Sequence, residues 1–292
     1  MKKRVLWSAA IFLIGIPTGT IYAEAEENLS RKKNQHHLFN PTSQELMREM
    51  STDRPDKTES AYTVDAGHYQ IEMSVVDYTY DRHNPKREDK NIDVLSIVPI
   101  NLKAGLRNNV DLQLVLNPYI RERTEENTEI ERKSGFGDIQ TRMKINLWGN
   151  DSGSTAFALM PFIKFPTNTD NLGNDAIEGG VIFPLAMELP GEWNMGLMTE
   201  FDFNEDPEDD DHYVTDFINS ITFGHQIFGD LNGYIEFFSS ITDGDRSEWI
   251  GTVDTGLTYG LTKDIQLDAG VNIGVTRSAD DFNPFCGLSM RY

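Results

Sequence analysis

Between Thr52 and Glu59 the chain reads "TDRPDKTE", which crowds Asp53, Arg54, Asp56 and Glu59 into one short polar stretch. Arginine stays ionised at any physiological pH, and its planar fork fits a carboxylate. The chemistry on offer is therefore ion pairing with partners elsewhere in the chain. Candidate partners recur inside alternating apolar stretches: Glu72, Lys103, Asp111, Arg142, Lys144, Lys164, Glu200, Glu236 and Asp268. Following the same alternation adds Asp93, Asp138, Glu178, Glu188, Asp202, Asp254 and Arg291 to that face. Positive charges concentrate on the stretches near 140 and 164, and negative charges dominate later ones. Charges sharing one wet interior form either a constriction that selects permeants or a salt-bridged filling that supports a wall. The residues leave both readings open.

Other chemistry is weaker. Of six histidines, His36 and His37 adjoin in a polar tail, His68 opens a strand, and His83 and His212 lie in or beside loops. His225 projects away from the charged face with no Ser two residues from it, so no Ser–His–acid set is indicated. The run "NEDPEDDDH" (204–212) could hold Ca²⁺ or bridge divalent ions to lipopolysaccharide, but it lacks the regular ligand spacing of a calcium loop, which favours a solvated loop. No catalytic residue, cofactor or metal is assigned, and a hydrolase is the minority alternative. Cys286 stands alone, which excludes an internal disulfide. The net charge of −21 argues against a nucleic-acid partner.

The elements that must position these charges are long strands. "DIQLDAGVNIGVTR" (264–277) alternates strictly between apolar and polar residues, the signature of a strand with two different faces. The pattern recurs from about residue 67 and predicts about 12 strands, each close to the roughly nine to eleven residues that span a bilayer obliquely. Short connections at 105–109, 149–153, 190–191, 228–230 and 260–264 alternate with longer ones at 81–90, 121–134, 166–176, 204–211, 242–248 and 277–283. Short turns at one end and long loops at the other describe a transmembrane antiparallel β-barrel, since only helices and closed barrels satisfy their backbone within lipid. Tyr69, Trp193, Tyr259 and Tyr292 at the turn end, with Phe165, Phe203 and Trp249 at the loop end, suit interfacial girdles. Pro99, Pro118, Pro161 and Pro184 fall inside strands, where each removes a ladder donor and marks a bulge or a gap in the wall.

The N-terminus sets the compartment. Lys2, Lys3 and Arg4 precede an apolar run from Val5 to Ile16, then Ala23 and Ala25. That is a secretory signal peptide over 1–25, too short in its apolar part to remain as a spanning helix. Residues 26–66 form a polar segment, expected to be disordered over 26–40 and helical over "PTSQELMREM", and 67–292 form the barrel. The first strand starts at the turn end, so the polar segment enters from the periplasm and is long enough to fold into the lumen as a plug; a free periplasmic tail is the alternative.

Three stretches carry a resemblance. Thr52, Asp53, Arg54, Pro55, Asp56, Thr58, Glu59, Ser60, Gly67, Gln70 and Glu72, followed by "GFGDIQTRMKINL" (135–147) and "MPFIKFPTN" (160–168), resemble an outer-membrane barrel family associated by name with the meta pathway of phenol degradation. Ala61 and Asn168 depart from the Pro and Gly of that pattern. The resemblance implies an outer-membrane channel or transporter for passive passage of small molecules, and its name points to aromatic or other hydrophobic compounds. A structural or ligand-binding barrel that transports nothing is the alternative. The closing "CGLSMRY" resembles the C-terminal signal read by the barrel assembly machinery; that machinery, outer-membrane lipid with lipopolysaccharide, and a small permeant are the expected partners.

Overall fold

The computed structural model describes residues 32–82, 84, 90–206, 209–243 and 248–292. The expected signal peptide, His83 and the centre of the acidic run lie outside them. Fifteen strand segments follow one another: β1 (Tyr69–Asp81), β2 (Asn91–Ile97), β3 (Ile100–Arg107), β4 (Val110–Leu116), β5 (Tyr119–Glu126), β6 (Glu129–Gly135), β7 (Ile139–Trp148) and β8 (Thr155–Phe165). The remainder are β9 (Glu178–Leu189), β10 (Trp193–Asp206), β11 (Asp209–Phe228), β12 (Leu231–Thr242), β13 (Trp249–Thr262), β14 (Ile265–Gly274) and β15 (Phe282–Arg291).

β1 pairs with both β3 and β15, which closes an antiparallel barrel of 12 strands. β2, β5 and β6 are not extra wall strands. They prolong the strands that β3, β4 and β7 begin, and they pair as β1–β2–β5–β6 at the loop end. Breaks at Val98–Pro99, Asn117–Pro118 and 136–138 separate the two tiers, and Val98 there takes a positive φ of 57°. Pro161 and Pro184, by contrast, sit in register opposite Val181 and Met198.

Burial is inverted relative to a water-soluble protein. Glu236, Asp254 and Lys144 are at most 1% exposed, whereas Leu147, Ile235 and Val275 are more than half exposed. Apolar side chains stay outside only where the solvent is lipid, and that fixes the transmembrane reading. Every girdle aromatic named above lies on the exposed side, and Tyr69 stacks on Tyr292 with centroids 6.1 Å apart where the barrel closes.

Four expectations need correction. The described residues of the stretch 204–211 are not loop but the paired ends of β10 and β11. The stretch 121–134 is not a loop but the β5–β6 hairpin, polar on both faces because it belongs to the upper tier. "PTSQELMREM" forms a turn at 44–46 rather than a helix; the Arg48 backbone N–H donates to Asp65 Oδ2 at 3.0 Å instead of to a carbonyl one helical turn back. Residues 32–40 pack against the turn end: Leu38 N donates to Leu106 O at 3.0 Å, and Lys33 is buried.

Candidate functional site

Residues 49–66 enter the lumen at the turn end, rise to an apex near Lys57 and descend again. Gly67, at φ +75°, turns the chain out of the lumen into β1, and a Cβ there would meet Pro41 Cα at 2.6 Å. The two limbs touch where Ser51 Oγ and Ser60 Oγ lie 2.7 Å apart, and Ser60 N donates to Asp53 Oδ1 at 3.0 Å. The segment forms no ladder with the wall. It is held by side chains.

Those side chains divide by sign. Asp53 accepts from Lys103 and, at 2.5 Å, from Lys144, while its backbone N–H donates to Glu72 Oε2 at 2.9 Å. Glu59 pairs with Arg142. These carboxylates meet the basic wall of β3 and β7. On the opposite side Arg54 reaches Asp268 on β14 at 2.6 Å and donates to Ser74 at 2.6 Å, and Lys57 lies 3.3 Å from Asp254 on β13. The segment thus carries each sign toward its opposite, the arrangement that desolvated charges require.

Backbone donors complete the docking. Lys57 N and Thr58 N donate to Glu236 at 2.9 and 2.8 Å, and Val64 N to Asp111 at 3.0 Å. Two expected residues form no ion pair among the described residues: Asp56 of the segment lies beside Thr222 and Glu236, and Glu200 on the wall stands beside Asp202 on its own strand. Lys164 pairs with Glu178 instead. A Cβ at Gly287 would lie 2.6 Å from the backbone Met73 O and would crowd Arg54 Nη2, so the glycine leaves room for the guanidinium beside the wall.

Two residues expected on the lumen face lie elsewhere. Asp93 points outward, opposite Tyr80, because the left-handed Val98 inverts the alternation above it and turns Ile92 and Val94 inward. Asp138 sits at a strand break, where it accepts from the backbone of Thr167, Asn168 and Asn174 at 3.0–3.2 Å.

Sequence reasoning missed a second cluster at the turn end. Lys33 and Arg48 converge on Asp151 at 2.6 and 2.8 Å and on the fully buried Asp65, which Arg291 also approaches. Burial alone would raise the Asp151 carboxyl, yet the hydrogen bond from Lys33 and the charge of Arg48 hold it below its ordinary value. Of these residues only Arg291 was placed on the lumen face by the alternation; Lys33, Arg48, Asp65 and Asp151 gave no signal. Also missed was an apolar strip inside the barrel: Met160, Phe162, Ile182 and Met198 are buried together, with Ile218 and Phe238 against them. Its signal was present in the register, since Met160 and Phe162 share a face with Lys164. A cavity of about 320 Å³ lies nearby, lined by Lys57, Ile250, Thr252, Asn272, Ser278, Asp280 and Asn283.

Fold and lumen together define an outer-membrane-type β-barrel with an N-terminal segment threaded inside it. Residues 52–292 match the family described as "Putative MetA-pathway of phenol degradation", and the chain belongs to that family. Among solved structures, the barrel is similar to an outer membrane channel from Pseudomonas putida F1, with a TM-score of 0.61 and 12% identity over 83% of this chain and 100% of that one. It is also similar to the β domain of the Bordetella autotransporter BrkA, with a TM-score of 0.52 and 12% identity over 77% of this chain and 99% of that one. No curated protein matches the chain.

Proposed function

We propose that the protein is an outer-membrane channel for passive passage of small molecules, exported by its N-terminal signal peptide, with residues 50–66 as the constriction. The observation that carries this reading is how the segment is held. It crosses the lumen on sign-matched side-chain pairs, not as a strand of the wall, so it narrows the passage without being needed to close the barrel. The turn end then faces the periplasm and the β5–β6 hairpin the outside. The apolar strip from Met160 to Phe238 suits aromatic or other hydrophobic permeants, in line with the family's description and with the similar outer membrane channel from Pseudomonas putida. On this reading the lumen charges orient permeants and catalyse nothing.

Liposome swelling with sugars, amino acids and small aromatics tests it. Uptake, fastest for small aromatics, is the expected result. Vesicles that stay impermeable would leave a structural barrel, and release of fatty acid from their lipid would reveal a hydrolase. One observation favours a variation on the route: the breaks at Val98–Pro99, Asn117–Pro118 and 136–138 lie on neighbouring strands, and β6 has no strand partner on its far side among the described residues. An apolar permeant could leave sideways there.

A further inference from the structure

The outer wall at the loop end carries a basic patch that the lumen does not explain. Register fixes which side it is on. Cys286, Leu288 and Met290 face lipid; Val76 pairs with Cys286, and Tyr80 pairs with Phe282 on that same face. The next partners along Tyr80's row are Asp93, Arg123 and Arg132, so their side chains also point away from the lumen.

Height follows from the rows as well. One row of register partners starts at Phe228, beside a short turn, and passes through Leu231, Tyr259, Leu267, Leu288, Met73 and Ile100 to Leu116 near the break below β5. Rows therefore climb toward β5 and β6, and the arginines stand above the aromatic Phe282. Four residues below Asp93 and Arg123, on their own strands, Ile97 and Tyr119 are 39% and 40% exposed, and Val76 flanks them. The surface changes from lipid-facing to cationic over about 13 Å.

Charge bookkeeping within the patch is incomplete. Asp93 is shared by Arg82 at 2.7 Å and Arg123 at 3.0 Å, and Glu125 takes the other arm of Arg123 at 2.7 Å. Arg82 also lies over the Tyr80 ring, 3.8 Å from its centroid. Arg121 and Arg132 have no ion-pair partner among the described residues. Arg132 is moreover the direct cross-strand partner of Arg123, and like charges so placed repel unless an anion lies between them. In a chain of net charge −21, surplus arginine on an outward face calls for an anionic partner.

We propose that Arg121, Arg123 and Arg132 bind the phosphorylated headgroup of a glycolipid in the outer leaflet. The planar guanidinium is suited to phosphate oxygens, and the adjoining Val76, Ile97 and Tyr119 continue onto its acyl chains. The site rests on the outer-membrane placement given above but not on transport.

The test uses the full-length barrel in detergent, with native mass spectrometry and thermal unfolding. The probes are a diphosphorylated lipid A, the same lipid dephosphorylated, and inorganic phosphate. Wild type should retain the diphosphorylated lipid, and Arg121→Gln/Arg132→Gln should bind it about tenfold more weakly, the loss of roughly one charge-assisted contact. Lys133→Gln, on the inner face of the same hairpin, should bind like wild type. Equal binding by the double variant would overturn the proposal, as would equal stabilisation by inorganic phosphate, which marks a simple anion site. Should the double variant not fold, wild type decides: equal affinity for the two lipids refutes the site. Glycolipid binding with no solute uptake would sink the channel reading and leave this one standing.

Discussion

Asp53→Asn is the sharpest perturbation of the lumen segment. The carboxylate is shared by Lys103 and Lys144, and its side chain is 6% exposed. An amide of nearly equal volume can still accept from Ser60 N–H, so packing is little changed. What disappears is the negative charge. Lys103 keeps Glu72, but Lys144, at 0% exposure, has no other ion-pair partner among the described residues. Removing one member of a buried pair costs about 3–5 kcal/mol when the survivor is left uncompensated, and the low end applies here because Asp111 faces Lys144 across the β4–β7 ladder. The wall ladder does not depend on Asp53, so the loss should fall on docking of the segment while the barrel stays folded. Hydrogen exchange of the Thr58, Ser60 and Val64 amides reads that docking directly. A loss of about 3 kcal/mol corresponds to exchange faster by roughly two orders of magnitude, with strand amides such as those of β13 unchanged. Asp53→Asn/Lys144→Met should recover part of the protection, since the orphaned charge is gone. Unchanged exchange in the single variant would refute the claim that this carboxylate anchors the segment. Uniform loss across the strands would refute the claim that wall and segment are separable.

Further outcomes follow from the same geometry. Val271→Arg puts a charge on the lipid face and should lower barrel stability in vesicles by about 2–4 kcal/mol, whereas Asn272→Arg, beside Asn283 in the lumen, should cost far less; equal losses would show the register to be wrong. The turn-end cluster should resist mild acid. A carboxyl held below its ordinary value, as Asp151 is, contributes stability that is complete above the unfolded carboxylate range near 4 and is lost only as pH falls through the lower folded value. Proteolysis near Lys33 and Arg48 should therefore stay constant from neutrality to about pH 5 and rise only below that range, and a rise near pH 6 would contradict it. A tag at 127–128 in the β5–β6 turn should be reached by antibody on intact cells and one at 149–153 should not, and the reverse pattern would invert the topology.

How much of this was legible in the sequence depended on whether one rule held along a whole strand. β13 and β14 alternate without interruption, so Asp254 and Asp268 could be placed on the lumen face from residues alone. β2 could not, because Val98 adopts a left-handed backbone that a β-branched residue seldom takes, and every side chain above it changes face. Pro99 marked the place without saying which way the face turned. The β5–β6 hairpin read as a loop because "RERTEENTEIERK" shows no apolar face, and a strand above the lipid needs none. Arg54 could be expected to seek a carboxylate, but its pairing with Asp268 depends on how the segment threads the lumen, which no spacing rule predicts. Lys33 lay hidden for another reason: its partners, Asp65 of the segment and Asp151 of the β7–β8 turn, meet only when the segment threads into the barrel.

The lumen segment's role in passage is tested most directly by the conductance of single molecules in planar bilayers, full-length against a variant lacking residues 26–60. The deleted barrel should migrate as folded and conduct more than the full-length protein, with Arg54→Ala shifting conductance the same way by less. Equal conductance in all three proteins would contradict the central claim, because the segment in the lumen would then not be what limits passage.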